Sequence, residues 1–255
     1  MIKGITFDLW DTVFIDDSDE PKRRAAGRPT KAEERRQLVH HFLQKYQPVE
    51  RTVVDLIYNA ADAAFRKVWH DQHVTWTVDE RLDIIFKALK IELSQPDRKE
   101  LIRLHEEMEL EFRPNFVPGV HEALKAIHGR FKIAVISDAI FSPGRCLRTL
   151  LADEDLLSFF DAFIFSDEVG HSKPHPTVFE AAWKQLGLEP HEIVHIGDRE
   201  HNDILGPKRV GMHCLLCTAA IDRDSKNTQA DGVFKEYSQL IDILESYNTS
   251  LESKA

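Results

Sequence analysis

Past residue 116 one pattern recurs, and it restricts the fold more than anything else in the chain. Short runs rich in β-branched and apolar residues alternate with helical stretches. The runs are FKIAVIS (131–137), FDAFIFS (160–166), EIVHIGD (192–198) and MHCLLCTA (212–219). The helices are SPGRCLRTLL (142–151), opened by Ser142 and Pro143, then PTVFEAAWKQLG (176–187) and NDILGPKRVG (202–211). Pro176 near the start of the second and Gly187 at its end are the residues that helix termini favour. Largely apolar strands separated by helices pack as a parallel sheet covered on both faces. A fifth run, IKGITFDL (2–9), has the same texture and belongs to that sheet as its first strand. The fold expected is α/β, a doubly wound, Rossmann-like parallel sheet.

The residues between the first strand and this alternation read differently. IDDSDEPKRRAAGRPTKAEERR (15–36) is polar, turn-rich and then basic, and helical patterns follow over 31–46, 49–69, 78–89 and 96–112. Thr30 with Glu33, and Thr77 with Glu80, have the spacing of capping boxes. Pro114, Pro118 and Gly119 mark the end of this helical stretch. The organisation expected is therefore a core domain of residues 1–14 and 116–245, a helical domain inserted at 15–115, and a frayed polar tail at 246–255.

Bulk properties exclude some partners. The 255 residues suffice for a substantial core, and a net charge of -10 argues against nucleic-acid binding. No run is long and apolar enough to span a membrane, and MIKGITFDLW lacks the parts of a signal peptide, so a cytoplasmic protein is expected. Cys146, Cys214 and Cys217 cannot build a disulfide framework. The CLLC pair is read as buried thiols, because strand residues three apart face opposite sides. The basic residues Lys22, Arg23, Arg24, Arg28, Arg35 and Arg36 read as a solvated helix face, with contact to a substrate anion as the rival reading.

Chemistry is expected at the carboxyl ends of the strands, where open α/β sheets bind ligands. Asp8, Asp11 and Thr12 end the first strand, Ser137 and Asp138 end the next, Lys173 lies in GHSKPHP, and HIGDREHND carries Asp198 and Asp203. Crowded carboxylates repel unless a cation sits among them, and magnesium, which takes carboxylates, water and phosphate oxygens, is the natural one. His171, His175 and His201 fall in the same loops and are read as ordinary loop residues.

At these residues the chain resembles the haloacid dehalogenase-like hydrolase superfamily, whose majority are magnesium-dependent phosphatases. ITFDLWDTV, VISDA, SKPHPTVFEAA and HIGDREHNDILGPKRVGM resemble its four motifs in order, and the insertion at 15–115 resembles its first type of helical cap. The resemblance implies a phosphatase acting on a small phosphorylated metabolite. Asp8 would be the nucleophile, with Ser137 and Asp138 at the phosphate and Lys173 neutralising charge. Magnesium would be held by Asp8, the backbone carbonyl of Trp10 and Asp198, with Asp203 completing the shell.

One position departs from the phosphatase pattern. The second aspartate, which serves as general acid and base, is replaced by Trp10, which cannot transfer protons. Asp11, one residue further on, is an uncertain stand-in. Haloacid dehalogenases also lack that aspartate, so a 2-haloacid dehalogenase using Asp8 is the rival activity, although the acidic fourth motif favours the phosphatase. A feebly catalytic, metal-binding regulatory protein is the second rival.

Overall fold

Every residue of GITF and of IVHIG is buried, as are the last five of KIAVIS, and strands without a polar face lie inside a covered sheet. In the computed structural model, which describes residues 1–223 and 225–252, the strands are β1 (Gly4–Phe7), β2 (Lys132–Ser137), β3 (Ala162–Phe165), β4 (Ile193–Gly197), β5 (His213–Cys217) and β6 (Gly232–Phe234). They form one six-stranded sheet in the order β3-β2-β1-β4-β5-β6, with every pairing parallel. Phe7 lies in register with Val135 of β2 and Ile196 of β4. The chain runs outward from β1 to β3, then returns to β1's other side as β4. The ends of β1 and β4 thus flank the switch point where such sheets bind ligands.

Between β1 and β2 come α1 (Glu20–Ala25), α2 (Lys31–Leu43), α3 (Arg51–Gln72), α4 (Val78–Leu89), α5 (Gln95–Glu106) and α6 (Met108–Glu111). Helices α2 to α5 share an apolar cluster of their own, built on Leu43, Val54, Leu82, Ile85 and Leu101. Thr77 and Glu80 form the reciprocal box, with Glu80 N donating to Thr77 Oγ1 (3.3 Å) and Thr77 N to Glu80 Oε2 (2.8 Å). At Thr30 only half of the expected box forms. Glu33 N donates to Thr30 Oγ1 (3.3 Å), but the Glu33 carboxylate accepts from Arg51 and Gln37 instead. The helix expected at 96–112 is two, because the backbone leaves helical geometry at Glu107 (φ -97°, ψ 11°).

The sheet's two faces are covered by α7 (Val120–Ile127), α8 (Gly144–Asp153), α9 (Ser166–Val169), α10 (Pro176–Leu186), α11 (Gly206–Arg209) and α12 (Leu240–Glu252). Alternation along β2 sorts its residues. Ile133 and Val135 join Leu124, Leu147 and Leu244 on one face, while Ala134 and Ile136 meet Val178 and Phe179 of α10 on the other. Cys214 and Cys217 are buried free thiols in two different clusters. Three residues of β6 at the sheet edge carry too little periodicity to be read from sequence. Helix α12 runs to Glu252 through the first part of the segment expected to fray; 253–255 lie outside the described residues. No helix among the described residues is long and apolar enough to cross a membrane.

Candidate active site at the rim of the sheet

Three strand ends and one loop deliver their polar residues to one place. Asp8 follows β1, Ser137 and Asp138 end β2, Asp198 follows β4, and Lys173 comes from the loop between α9 and α10. Lys173 Nζ donates to Asp8 Oδ1 and to Asp203 Oδ1, both at 2.6 Å, with all three side chains buried. Asp203 reaches inward because the helix expected over 202–211 begins as a wide π-type turn, Glu200–Leu205, that continues into α11. Its Oδ2 accepts from Arg199 N (2.9 Å), and it crosses so close to the β4 backbone that a Cβ on Gly197 would meet its carboxyl carbon at 2.3 Å. Only glycine leaves room there.

His195, on β4, supports this arrangement from beneath and is not marked by the sequence pattern. Its Nε2 lies 3.2 Å from Asp203 Oδ1 and its Nδ1 2.8 Å from Thr6 Oγ1. A carboxylate can only accept, so Nε2 carries the hydrogen and Nδ1 accepts from the threonine hydroxyl. Burial holds the ring neutral by lowering its pKa.

One lysine serves two buried acids, and the acids respond differently. Burial acts to raise Asp203, but Lys173 and His195 outweigh it and hold its carboxyl well below the usual range. Asp8 has fewer partners. Burial pushes it well up, Lys173 offsets part of that, and Asp203 and Asp198 add repulsion. Asp198 is raised to about 6 by burial and by Asp203, against the pull of Arg223. Lys173 remains a cation, since Asp203, Asp8 and Asp138 overcome its own burial and raise its pKa.

Two atoms of these side chains find no protein partner among the described residues. Asp198 Oδ1 and Ser137 Oγ are buried without a hydrogen bond, a costly state unless a ligand completes it. Asp8, Asp198 and Asp203 each offer an oxygen within 4.8 Å of the others. Such an arrangement can hold a cation and present a carboxylate to an electrophile.

The remaining residues of the expected site fall into place around this centre. Asp138 Oδ1 accepts from Lys173 N (2.9 Å) and so fixes the lysine's loop. Burial raises its carboxyl to about 6 despite Lys173. Trp10 lines the cavity above Asp8, its ring 5.5 Å from that of Phe14. Asp11 takes left-handed backbone (φ 55°) and turns aside. Its Oδ1 accepts from Asp16 N (3.0 Å) and its Oδ2 from Arg223 Nη2 (2.6 Å). Arg223 also donates Nε to Asp198 Oδ2 (2.5 Å), tying the two loops together. It sits in a polar loop after β5, where neither spacing nor periodicity singles it out.

The site opens into a cavity of about 370 Å³ whose other wall is the helical region. Lys31 and Arg35 of α2, Arg66 and Trp69 of α3 and Glu109 of α6 face Asp8, Asp138, Lys173 and Asp203 across it. The basic stretch is thus not uniformly a solvated face. Arg23 is fully buried against Glu34, and Arg35 is buried on the cavity wall. Both are held inside by anions and aromatic rings that a local pattern does not show. Of the loop histidines, His171 and His175 stack on each other at 3.9 Å, and His201 lies 6.1 Å from His73.

Comparison with known proteins bears on the family and the fold. The family model of the haloacid dehalogenase-like hydrolases matches residues 2–211. A glyceraldehyde 3-phosphate phosphatase of Pyrococcus furiosus is 34% identical over 139 residues, 52% of this chain and 56% of that protein. The chain thus spans about half the length of this curated relative. A HAD phosphatase from Thermococcus onnurineus superposes with a TM-score of 0.63 at 22% identity, covering 95% of this chain and 98% of that one. A 2-haloacid dehalogenase from Pseudomonas syringae pv. tomato gives 0.69 at 20% identity, covering 97% and 100%. Both chemistries share the fold, so the fold does not choose between them.

Proposed function

The chain belongs to the haloacid dehalogenase-like hydrolases, and from that premise we propose that it is a magnesium-dependent phosphatase of a small phosphorylated metabolite. The helices of 15–115 then serve as the cap of a core formed by 1–14 and 116–245. The observation that carries the reading is the buried group of Asp8, Asp198 and Asp203 with Lys173 bridging two of them. The Asp8–Lys173 pair would suit either chemistry, but a dehalogenase has no need of a metal ion, so the acids Asp198 and Asp203 beside that pair are what favour a phosphoryl group.

Asp8 attacks phosphorus and the leaving group departs with the bonding electron pair, giving an aspartyl-phosphate that water then cleaves. Lys173 neutralises charge on Asp8 and on the transferring phosphoryl group. Ser137 Oγ, buried without a protein partner, donates to a phosphoryl oxygen. Magnesium fits the residues present, because Asp198 Oδ1 is buried and unsatisfied. Asp8, Asp198 and the Trp10 carbonyl would hold it and Asp203 would orient that shell; bound there, it supplies positive charge that stabilises the phosphoryl oxygens. Asp203, engaged by Lys173, His195 and Arg199 N, acts mainly by positioning.

Trp10 governs the choice of leaving group. Its indole carries no transferable proton, and both oxygens of Asp11 are occupied by Asp16 N and Arg223. Acyl and aryl phosphates, whose leaving groups need no proton, are therefore the best substrates, and alkyl monoesters turn over slowly. General acid help is worth about 100- to 10,000-fold. A panel of acyl, aryl and alkyl phosphates and 2-haloacids, with and without magnesium, tests the reading. Magnesium-dependent phosphate release is expected; halide release without phosphate release would replace it with the dehalogenase.

A further inference from the structure

The cavity wall facing Asp8 holds a charged group that the protein leaves incomplete. Arg35 of α2 is 5% exposed, and its Nε and Nη2 are buried without a hydrogen-bond partner among the described residues. A guanidinium taken out of water and short of acceptors is strongly disfavoured unless something completes it. The carboxylate beside it belongs to Glu109, whose Oε1 is 3.8 Å from Nη2, beyond hydrogen-bond range. Glu109 is already engaged by Lys31 at 3.1 Å and by the Ser142 hydroxyl.

The guanidinium is also fixed in orientation. It lies over the Phe141 ring, 3.6 Å from the centroid, so stacking holds its plane, and its residue lines the cavity. Nε and Nη2 lie on one edge of the fork, the pair of donors that matches the two oxygens of a carboxylate. Trp69 Nε1, on the same cavity, is a further buried donor without a partner. Asp16, Asp17 and Glu109 line the cavity too, and their charge opposes a second phosphate dianion more than a carboxylate monoanion.

We propose that Arg35 determines specificity, receiving the carboxylate of a small phosphorylated carboxylic acid whose phosphoryl group reaches Asp8. The inference rests on the phosphatase reading for the phosphoryl end alone. Its test is binding without turnover. In full-length protein carrying Asp8→Asn, calorimetry compares 3-phosphoglycerate with glycerol 3-phosphate, which has the same carbon count and a hydroxymethyl group in place of the carboxylate. With Arg35 present, 3-phosphoglycerate binds at least about tenfold more tightly, as expected when a site built to pair with a polar group meets an analogue lacking it. Arg35→Gln removes that preference and Arg35→Lys keeps part of it. Equal affinities with Arg35 present, or binding of neither ligand, overturn the proposal, and so does a preference that survives in Arg35→Gln. If Arg35→Gln does not fold, the Arg35 protein and Arg35→Lys decide. Phosphate release from acetyl phosphate by the protein with Asp8 in place tests the phosphatase reading separately.

Discussion

The two walls of the cavity handle buried charge in opposite ways. On the sheet rim, acids outnumber cations. Lys173 is shared between Asp8 and Asp203, Arg223 between Asp11 and Asp198, and Asp198 Oδ1 has no partner. On the helical wall a cation is short of acceptors, since Lys31 takes Asp19 at 2.7 Å and Glu109 at 3.1 Å while Arg35 Nε and Nη2 make no hydrogen bond among the described residues. One wall is short of positive charge and the other short of an anion, which is what the proposed cation and the proposed acidic substrate would supply. The rim should therefore govern rate, and the helices should govern preference and stability.

The largest effect should come from the rim. Asp8→Asn is expected to lower phosphate release by about 10,000-fold or more, the scale of losing a nucleophile; a variant as active as its parent removes Asp8 from the mechanism. Lys173→Met should cost about 100- to 1,000-fold in kcat, as for loss of one preorganised charge at the reacting group. If it changes only KM, the lysine binds substrate without assisting the reaction. Trp10→Asp works in the other direction, restoring a proton carrier, and should raise alkyl monoester turnover by up to about 100-fold. A folded variant with an unchanged or lower rate counts against the role given to this position.

The smallest effect belongs to the helical side and leaves the rim untouched. His105 on α5 is buried, with Nδ1 2.8 Å from Leu101 O and Nε2 without a partner, and burial lowers its pKa from the ordinary 6.5 to about 3. Between those values the unfolded chain is protonated there and the folded chain is not. His105 neutrality is therefore fully compatible with the fold above pH 6.5, and stability is lost as pH falls toward about 3. The slope from this residue is up to about 1.4 kcal/mol per pH unit. Urea unfolding of parent and His105→Gln at several pH values measures it; parallel curves would show that His105 contributes nothing.

What could be read in the sequence follows the same division. Asp8, Ser137, Asp138, Lys173, Asp198 and Asp203 were legible because strand ends in a parallel sheet converge, so a residue's place after a strand predicts its place in space. His195 hid inside a strand, where alternation gives a face and not a role. Arg35 looked like one more charge on a basic helix, since the acids and aromatic ring that keep it inside come from α6 and the segment after β2. Arg223 lay in a loop whose conformation nothing local dictates. The break at Glu107 and the π-type turn before α11 were likewise invisible, because tertiary contacts override an otherwise helical pattern.

Arg223 reaches Asp11 across 212 positions of sequence and holds Asp198 as well. During synthesis, β1 and the helices can emerge and begin to pack long before this residue exists. The loop beside Asp8 therefore acquires its final anchor only when the segment after β5 arrives, and the folded body and the rim are completed at different times. A lesion in the loop after β5 would spare the helices and the sheet while loosening Asp198. It would look from the outside like a protein that folds well while its proposed cation site is weakened.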